Sequence, residues 1–368
     1  MSQQPVLHIH GHVTLGDGRE FGDVWVEDGV ITLTRPSGLS AETVHIEGFA
    51  VPGLVDVHAH VGLGPGGPVS AEEARAQAIA DRDSGVLLVR DAGSPIDTRW
   101  MDVRDDLPRI LRCGQHLARP KRYLRGFGRE LETPDDLAGA VAEEAAAGDG
   151  WVKIVADWID RDGGDLAPLW STAQLTAAVA AAHAEAARVT AHTFATEAID
   201  GLLAAGVDCL EHGTGLTDPQ IDEVVRRGVA VTPTLLQVGQ FDVIAAQALA
   251  KYPTYAARMR RMHRRRYRHV AALHEAGVRL LVGTDAGGTI RHGQIAAECA
   301  ELVTAGVPAS EVVAAASWRT RSYLGFGELV DGSAADLVVY AADPRVNIAV
   351  LRSPLAVILR GAVISPAV

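Results

Sequence analysis

Val51-Pro52-Gly53-Leu54-Val55-Asp56-Val57-His58-Ala59-His60-Val61-Gly62 is the stretch on which the reading of this chain turns. Val51, Leu54, Val55 and Val57 make the near-continuous apolar run of a strand buried on both faces, and Pro52-Gly53 punctuates its start. Alternate side chains of a strand share a face, so His58 and His60 aim two ring nitrogens at one spot. That geometry suits a divalent metal ion. His8, His10 and His12 alternate in the same way, but no acidic or histidine cluster follows them in a matching strand context, so they read as one face of an N-terminal strand.

Downstream, apolar strands alternate with Ala-rich helical stretches, the pattern of βα repeats in a parallel sheet. Strand segments centre on residues 53–58, 86–91, 109–113, 151–156, 189–193, 207–212, 229–235 and 279–284. Helical segments between them include 135–147, 171–187, 196–205 and 240–275. Eight such strands predict an α/β fold of the (β/α)₈ TIM-barrel type, with its chemistry on loops at the carboxyl ends of the strands. Helices are expected near 293–305 and 308–324. Upstream, residues 1–50 alternate apolar and polar positions between turn groups such as Gly16-Asp17-Gly18 and Glu27-Asp28-Gly29, which predicts short antiparallel strands. Strand rhythm returns at 336–341, 346–351 and 355–364. The expectation is a barrel over 51–327 and a small β-sandwich domain built from both chain ends, 1–50 and 328–368.

The 368 residues are enough for one large barrel and a minor domain. A chain 48% hydrophobic and 22% charged is globular, with no apolar run of membrane-spanning length and no signal-peptide pattern, so a cytoplasmic protein is expected. Cys113, Cys209 and Cys299 are widely spaced, which argues against a disulfide framework or a thiolate zinc site. A net charge of -12 speaks against nucleic acid or an anionic membrane as partner and leaves a small-molecule substrate. The basic run Arg258 through Arg268 then reads as a solvated helix face or a contact between copies of the chain in a homo-oligomer.

Further polar residues recur at the ends of later strands, where a barrel gathers side chains at one mouth. Lys153 lies in Trp-Val-Lys-Ile-Val-Ala-Asp, His192 in Val-Thr-Ala-His-Thr, His212 in Cys-Leu-Glu-His-Gly and Asp285 in Gly-Thr-Asp-Ala-Gly. A lysine aimed into an apolar barrel is expensive to keep charged, so its amine is expected to give up its proton readily. A neutral amine can take up carbon dioxide, and the resulting carbamate offers two oxygens that can bridge two metal ions.

This order of residues, with Pro52 through His60 and the closing Ala334-Ala335-Asp336-Leu337-Val338-Val339, resembles the amidohydrolase superfamily of metal-dependent hydrolases over essentially the whole chain. Val89-Arg90-Asp91-Ala92-Gly93, Glu211-His212-Gly213-Thr214 and Thr232-Pro233-Thr234-Leu235 look most like the branch of imidazolonepropionase-related proteins and Xaa-Pro or acyl-amino-acid peptidases. The resemblance implies that His58 and His60 hold a buried metal ion with Asp285, and that His192 and His212 hold a more exposed one. Carboxylated Lys153 would bridge them, and zinc is the implied metal. It further implies a binuclear-metal-dependent hydrolase that cleaves an amide, linear or cyclic, by metal-activated hydroxide, with Asp285 as acid-base residue. A lactonase or esterase is the near alternative. A deaminase of the same superfamily would carry a glutamate a few residues after His192, where this chain has Thr-Phe-Ala-Thr before Glu197. A non-catalytic scaffold would have lost ligands, and none is missing.

The chain departs from that branch after its third strand. Gly114-Gln115-His116 is followed there by a basic run that includes Arg119, Lys121, Arg122, Arg125 and Arg129. Arg122 and Arg125, with His292 after strand eight, are candidate contacts for a substrate carboxylate. The competing reading pairs these side chains with Asp157, Asp160 or Asp162.

Overall fold

The computed structural model describes residues 5–37, 43–124 and 126–366. Every residue of strands Leu54–Ala59, Val86–Asp91 and Trp151–Val155 is buried, which is why they read as apolar runs rather than alternating patterns. Leu54–Ala59, Val86–Asp91 and Arg109–Arg112 pair in parallel. A second parallel series runs Leu117–Ala118, Trp151–Val155, Arg188–Thr193, Cys209–His212, Ala230–Thr232 and Arg279–Leu280. Backbone bonds tie the end of this series to the first strand: Val57 N–H donates to Val282 O at 3.0 Å and Asp285 N–H to His58 O at 2.7 Å. The result is a mixed α/β fold in which His58, His192, His212 and Asp285 all sit at carboxyl ends of parallel segments.

Helices Ala71–Asp83, Leu137–Ala147, Thr172–Ala184, Thr196–Ala205 and Asp218–Arg227 cover the parallel strands. Their starts and stops follow local chemistry. Ser171 and Gln174 close a reciprocal capping box, and Gly206 ends its helix at φ 85°.

Several sequence expectations need correction. The 240–275 stretch is two helices, Phe241–Ala248 and Pro253–Glu275, because Pro253 cannot donate to a preceding turn but fits the first turn of a new one. The 308–324 stretch likewise divides into Ala309–Ala315 and Trp318–Tyr323. Residues expected as a strand at 346–351 instead form the 3₁₀ turn Ile348–Arg352, whose start is capped by the Asn347 side chain accepting from Ala349 N–H. A hairpin of Asp157–Asp160 with Asp165–Pro168 occupies what reads in the sequence as a plain loop.

A seven-stranded sheet takes strands from both chain ends, in the order Ala362–Pro366, Ala356–Leu359, Leu337–Tyr340, Val44–Pro52, Leu7–Thr14, Glu20–Glu27, Val30–Thr32. Leu7–Thr14 and Val44–Pro52 run parallel, not antiparallel as the turn punctuation suggests. Gly11 and Gly48 permit their close approach, since a Cβ on Gly11 would lie 2.5 Å from Gly48 O. Leu7, Ile9, Val24, Leu337 and Ile358 belong to one apolar cluster beneath this sheet. Among the described residues no helix is long and apolar enough to cross a membrane. The basic run lies on Pro253–Glu275, which buries Tyr255, Ala256, Met259 and Met262 on one side while Arg258 pairs with Asp165 and Glu197.

Candidate metal centre

His58 and His60 leave the end of their strand on one face, and Asp285 arrives from the last parallel segment. Asp285 Oδ1 lies 3.1 Å from His58 Nε2 and 3.2 Å from His60 Nε2, so three donor atoms converge on one point. His60 Nδ1 donates to Gly93 O at 2.8 Å, which orients the ring so that Nε2 faces Asp285. Beside this trio, His192 Nδ1 and His212 Nε2 are 3.1 Å apart, and the rings of His58 and His212 have centroids 5.2 Å apart. His212 Nδ1 bonds Thr234 Oγ1 at 2.6 Å, which turns its Nε2 toward His192. The two groups are neighbours.

The backbone is strained here. His212, Thr234 and Asp285 have φ of 63°, 47° and 60°, in the left-handed region that costs non-glycine residues of order 1–3 kcal/mol each. At His212 this turn breaks strand alternation, so Glu211 and His212 both face the interior although adjacent strand residues ordinarily diverge. Glu211 is the functional group that sequence reasoning missed. Its carboxylate forms an ion pair with Lys153 Nζ, accepts from Thr190 Oγ1 at 2.8 Å and lies 3.7 Å from His58 Nδ1. Lys153, Glu211 and Arg90 are fully buried, with the Arg90 guanidinium donating to Val57 O and stacked 4.4 Å from the Trp151 ring centroid. Lys153 therefore meets a carboxylate, not the purely apolar wall expected for it.

Protonation states suit metal binding. Burial holds His192 well below the ordinary imidazole range, aided by His212 and Lys153, and pushes His212 down to about 3. Burial also lowers His58, whereas at His60 burial is outweighed by the contact with Asp285, which raises it. Neutral imidazoles are the ligand form. Burial would raise Asp285, but its contacts with His58 and His60 outweigh that and hold it well below the usual carboxylate range, hence ionised. Both ring nitrogens of His58 and Nε2 of His192 are buried without a hydrogen bond of good geometry, a costly state unless something coordinates them. His58 and His60 with Asp285, and His58 with Glu211 and His212, each gather enough donors for a cation. The donor set of imidazole nitrogens and carboxylate oxygens fits zinc or a similar divalent ion.

The candidate substrate contacts fare differently. Arg122 donates to Ile159 O at 3.0 Å and to Asp160 Oδ1 at 2.6 Å. His292 is buried against Asp81, Nδ1 to Oδ2 at 2.7 Å. Arg122 is thus held by the neighbouring hairpin, while His292 uses Nδ1 on a residue of helix Ala71–Asp83 and keeps Nε2 buried without a partner, pairings invisible in the sequence. Arg125 lies outside the described residues. The same loop instead delivers Tyr123, whose ring packs against His116, Trp158 and His192 at centroid distances of 4.9, 4.8 and 5.3 Å. A surface cavity of about 770 Å³ runs past Arg279 and Trp318 and has none of these histidines in its wall.

Comparison with known proteins places this geometry in context. A profile described as the amidohydrolase family matches residues 49–364. Uncharacterized proteins of Mycobacterium tuberculosis and Mycobacterium bovis are 54% identical over 360 residues, 98% of this chain and 96% of theirs. A Xaa-Pro dipeptidase with bound methionine in its active site superposes with TM-score 0.81 at 22% identity, over 98% of this chain and 99% of that one. A candidate prolidase from Bifidobacterium longum gives TM-score 0.79 at 28% identity, over 97% and 93%. An ochratoxinase of A. niger gives 0.81 at 19% identity, over 99% and 96%.

Proposed function

Since the chain belongs to the amidohydrolase family and is a hydrolase of that family, we propose that it cleaves the amide bond of a small molecule at a binuclear metal centre. The observation that carries this reading is the pair of adjacent convergences, His58–His60–Asp285 and His192–His212, with Asp285 Oδ1 3.1 and 3.2 Å from the imidazole nitrogens of the first and 3.1 Å between those of the second, the spacing of ligands that share one ion. The first trio would hold one ion and the histidine pair the other, with Lys153, as its carbamate, between them. The two parallel series would close as one (β/α)₈ barrel over 51–327, with 1–50 and 328–368 as the second domain. We place the enzyme in the cytoplasm.

Two zinc ions held there would supply Lewis acidity for a shared water and for the scissile carbonyl. Asp285 then does the proton work. Its Oδ1 is engaged by both imidazoles, which leaves Oδ2 to take a proton from the attacking water and return it to the leaving nitrogen. The Gly93 and Thr234 contacts keep His60 and His212 from turning during that exchange. Tyr123 and Trp158 form an aromatic wall against His192, which favours substrates with an apolar group beside the amide. Deamination loses its proton shuttle here, because Glu197 is spent on Arg258 at 2.8 Å on the outside of the fold.

One observation favours a second arrangement. The Lys153–Glu211 ion pair puts a ready-made carboxylate where the carbamate would stand, so that Glu211 itself would bridge the ions and Lys153 would remain an ammonium. Carbon-13 NMR of protein equilibrated with labelled carbon dioxide separates the two, since only a carbamate gives a lysine-linked carbonyl signal. For the activity, the zinc-loaded protein is screened against N-acyl amino acids, dipeptides, cyclic amides and lactones alongside metal analysis. About two ions per chain with amide turnover supports the proposal; ester-only turnover or a metal-free protein rejects it.

A further inference from the structure

The outer face of the terminal sheet carries histidines that the hydrolytic site does not use. His8 and His10 alternate along Leu7–Thr14, and the parallel register sets His8 opposite His45 and His10 opposite Glu47 on Val44–Pro52. On the other side the antiparallel register sets His10 opposite Asp23 and His8 opposite Trp25. The intervening Leu7, Ile9 and Val24 are buried, so this polar set lies on the solvent side of a well-packed sheet.

Within it, His8 Nδ1 and His45 Nδ1 are 3.0 Å apart. His8 Nε2 donates to Asp23 Oδ1 at 2.7 Å, because an ionised carboxylate can only accept. That bond places the ring proton on Nε2 and leaves the Nδ1 lone pair directed at His45. Two imidazole nitrogens each about 2.0–2.1 Å from a tetrahedral zinc stand about 3.3 Å apart, so the observed gap is within a few tenths of an ångström of a metal's bite. It matches the 3.1 Å separation of His192 and His212. A carboxylate behind a coordinating histidine is the usual support for such a ligand. The His8 ring also stacks on Trp25 with centroids 5.0 Å apart and an interplanar angle of 4°, which restrains its orientation. His10, with its ring centroid 5.2 Å from that of His8, stands beside the pair on the same strand face.

We infer that His8 and His45 form a second, surface divalent-metal site of the zinc class, with Asp23 orienting His8 and His10 or water completing the coordination. On binding, the proton shared between His8 and His45 leaves His45 Nδ1, and His45 takes its other tautomer with the proton on Nε2; no net proton is released. The ion would clamp the N-terminal strand to Val44–Pro52, the strand that leads directly into His58 and His60. This inference stands apart from the hydrolytic reading, since none of its residues belongs to that centre.

The test titrates zinc alone into protein already saturated at its high-affinity centre, by isothermal calorimetry at pH 7.5. One further, weaker equivalent per chain is expected. It should vanish in His8→Ala and in His45→Ala, and weaken about 10–100-fold in Asp23→Asn, which keeps both ligands but loses the orienting charge. His45→Gln serves as a second loss variant, and circular dichroism of each variant establishes its fold. Turnover of any substrate found in the screen should be unchanged in His45→Ala. Absence of the further equivalent in the unmodified protein, or its persistence in the histidine variants, overturns the site.

Discussion

Asp285 is the residue to which the proposed function gives both coordination and proton transfer, and substitutions there should separate the two roles. Asp285→Asn keeps an oxygen for the ion but cannot hold a transferable proton, so metal content should remain near that of the parent while kcat falls about 10²-fold or more. Metal analysis and steady-state kinetics on the same preparation check this, and a near-normal rate would remove Asp285 from the proton path. Lys153→Ala should abolish turnover, with partial recovery in millimolar short-chain carboxylates that can stand in for the carbamate. Recovery should be absent if Glu211 is the bridge. Much at this scale was legible beforehand. The His-x-His strand and the strand-end histidines announce themselves by type and spacing. Glu211 does not, because strict alternation puts it on the face opposite His212, and only the left-handed turn at His212 brings both inward.

At the level of elements, the hairpin Asp157–Asp160/Asp165–Pro168 is pinned from two sides, by Arg122 at Asp160 and by Arg258 at Asp165. Arg122 is thus a brace for the loop that carries Trp158. Arg122→Ala should raise KM similarly for a carboxylate-bearing substrate and its neutral amide analogue, whereas a loss confined to the carboxylate would mean the arginine reads the substrate directly. Asp157 serves another element. Helix Thr196–Ala205 begins at Ala195, whose side chain cannot cap it, and Asp157 Oδ2 accepts from the Phe194 and Ala195 N–H groups at 2.8 and 3.0 Å. Burial pushes Asp157 up to about 7 despite those two bonds. The folded chain then holds a proton that the unfolded chain releases near pH 4, so this group's contribution to stability is full below about pH 4 and is lost as pH rises toward 7. Asp157→Asn, which keeps the acceptor and cannot ionise, should flatten that part of the melting-temperature profile. Asp157→Ala should cost about 1–3 kcal/mol by leaving two buried donors unmet. No sequence pattern signals such a cap, since acceptor and helix lie some forty residues apart.

For the molecule as a whole, the proposed ions would bind only where strands from across the chain have assembled, which would link metal occupancy to folding. Free zinc at about a hundred times its dissociation constant should stabilise the protein by about 2.7 kcal/mol per site. Chelation should lower the calorimetric melting temperature accordingly, measured in His45→Ala so that only the hydrolytic centre contributes. An unchanged transition would mean that the fold does not hold the ions. The α/β rhythm was readable because strands buried on both faces are mostly apolar, as Leu54, Val55 and Val57 and the run Val86 through Val89 are. The parallel pairing of Leu7–Thr14 with Val44–Pro52 was not, because it depends on which edges meet and not on local turns.

That terminal sheet also bears on how the protein is made. Val44–Pro52 receives Leu337–Tyr340 on one side, a partner that emerges from the ribosome nearly three hundred residues later. At about 5–20 residues per second the wait is roughly a quarter of a minute to a minute. Throughout it the strand has an open edge able to recruit any extended chain nearby. The segment that introduces His58 and His60 is thus finished last on its far side, and a ribosome stalled before residue 337 would release a nascent chain whose paired-histidine strand adjoins an unprotected seam.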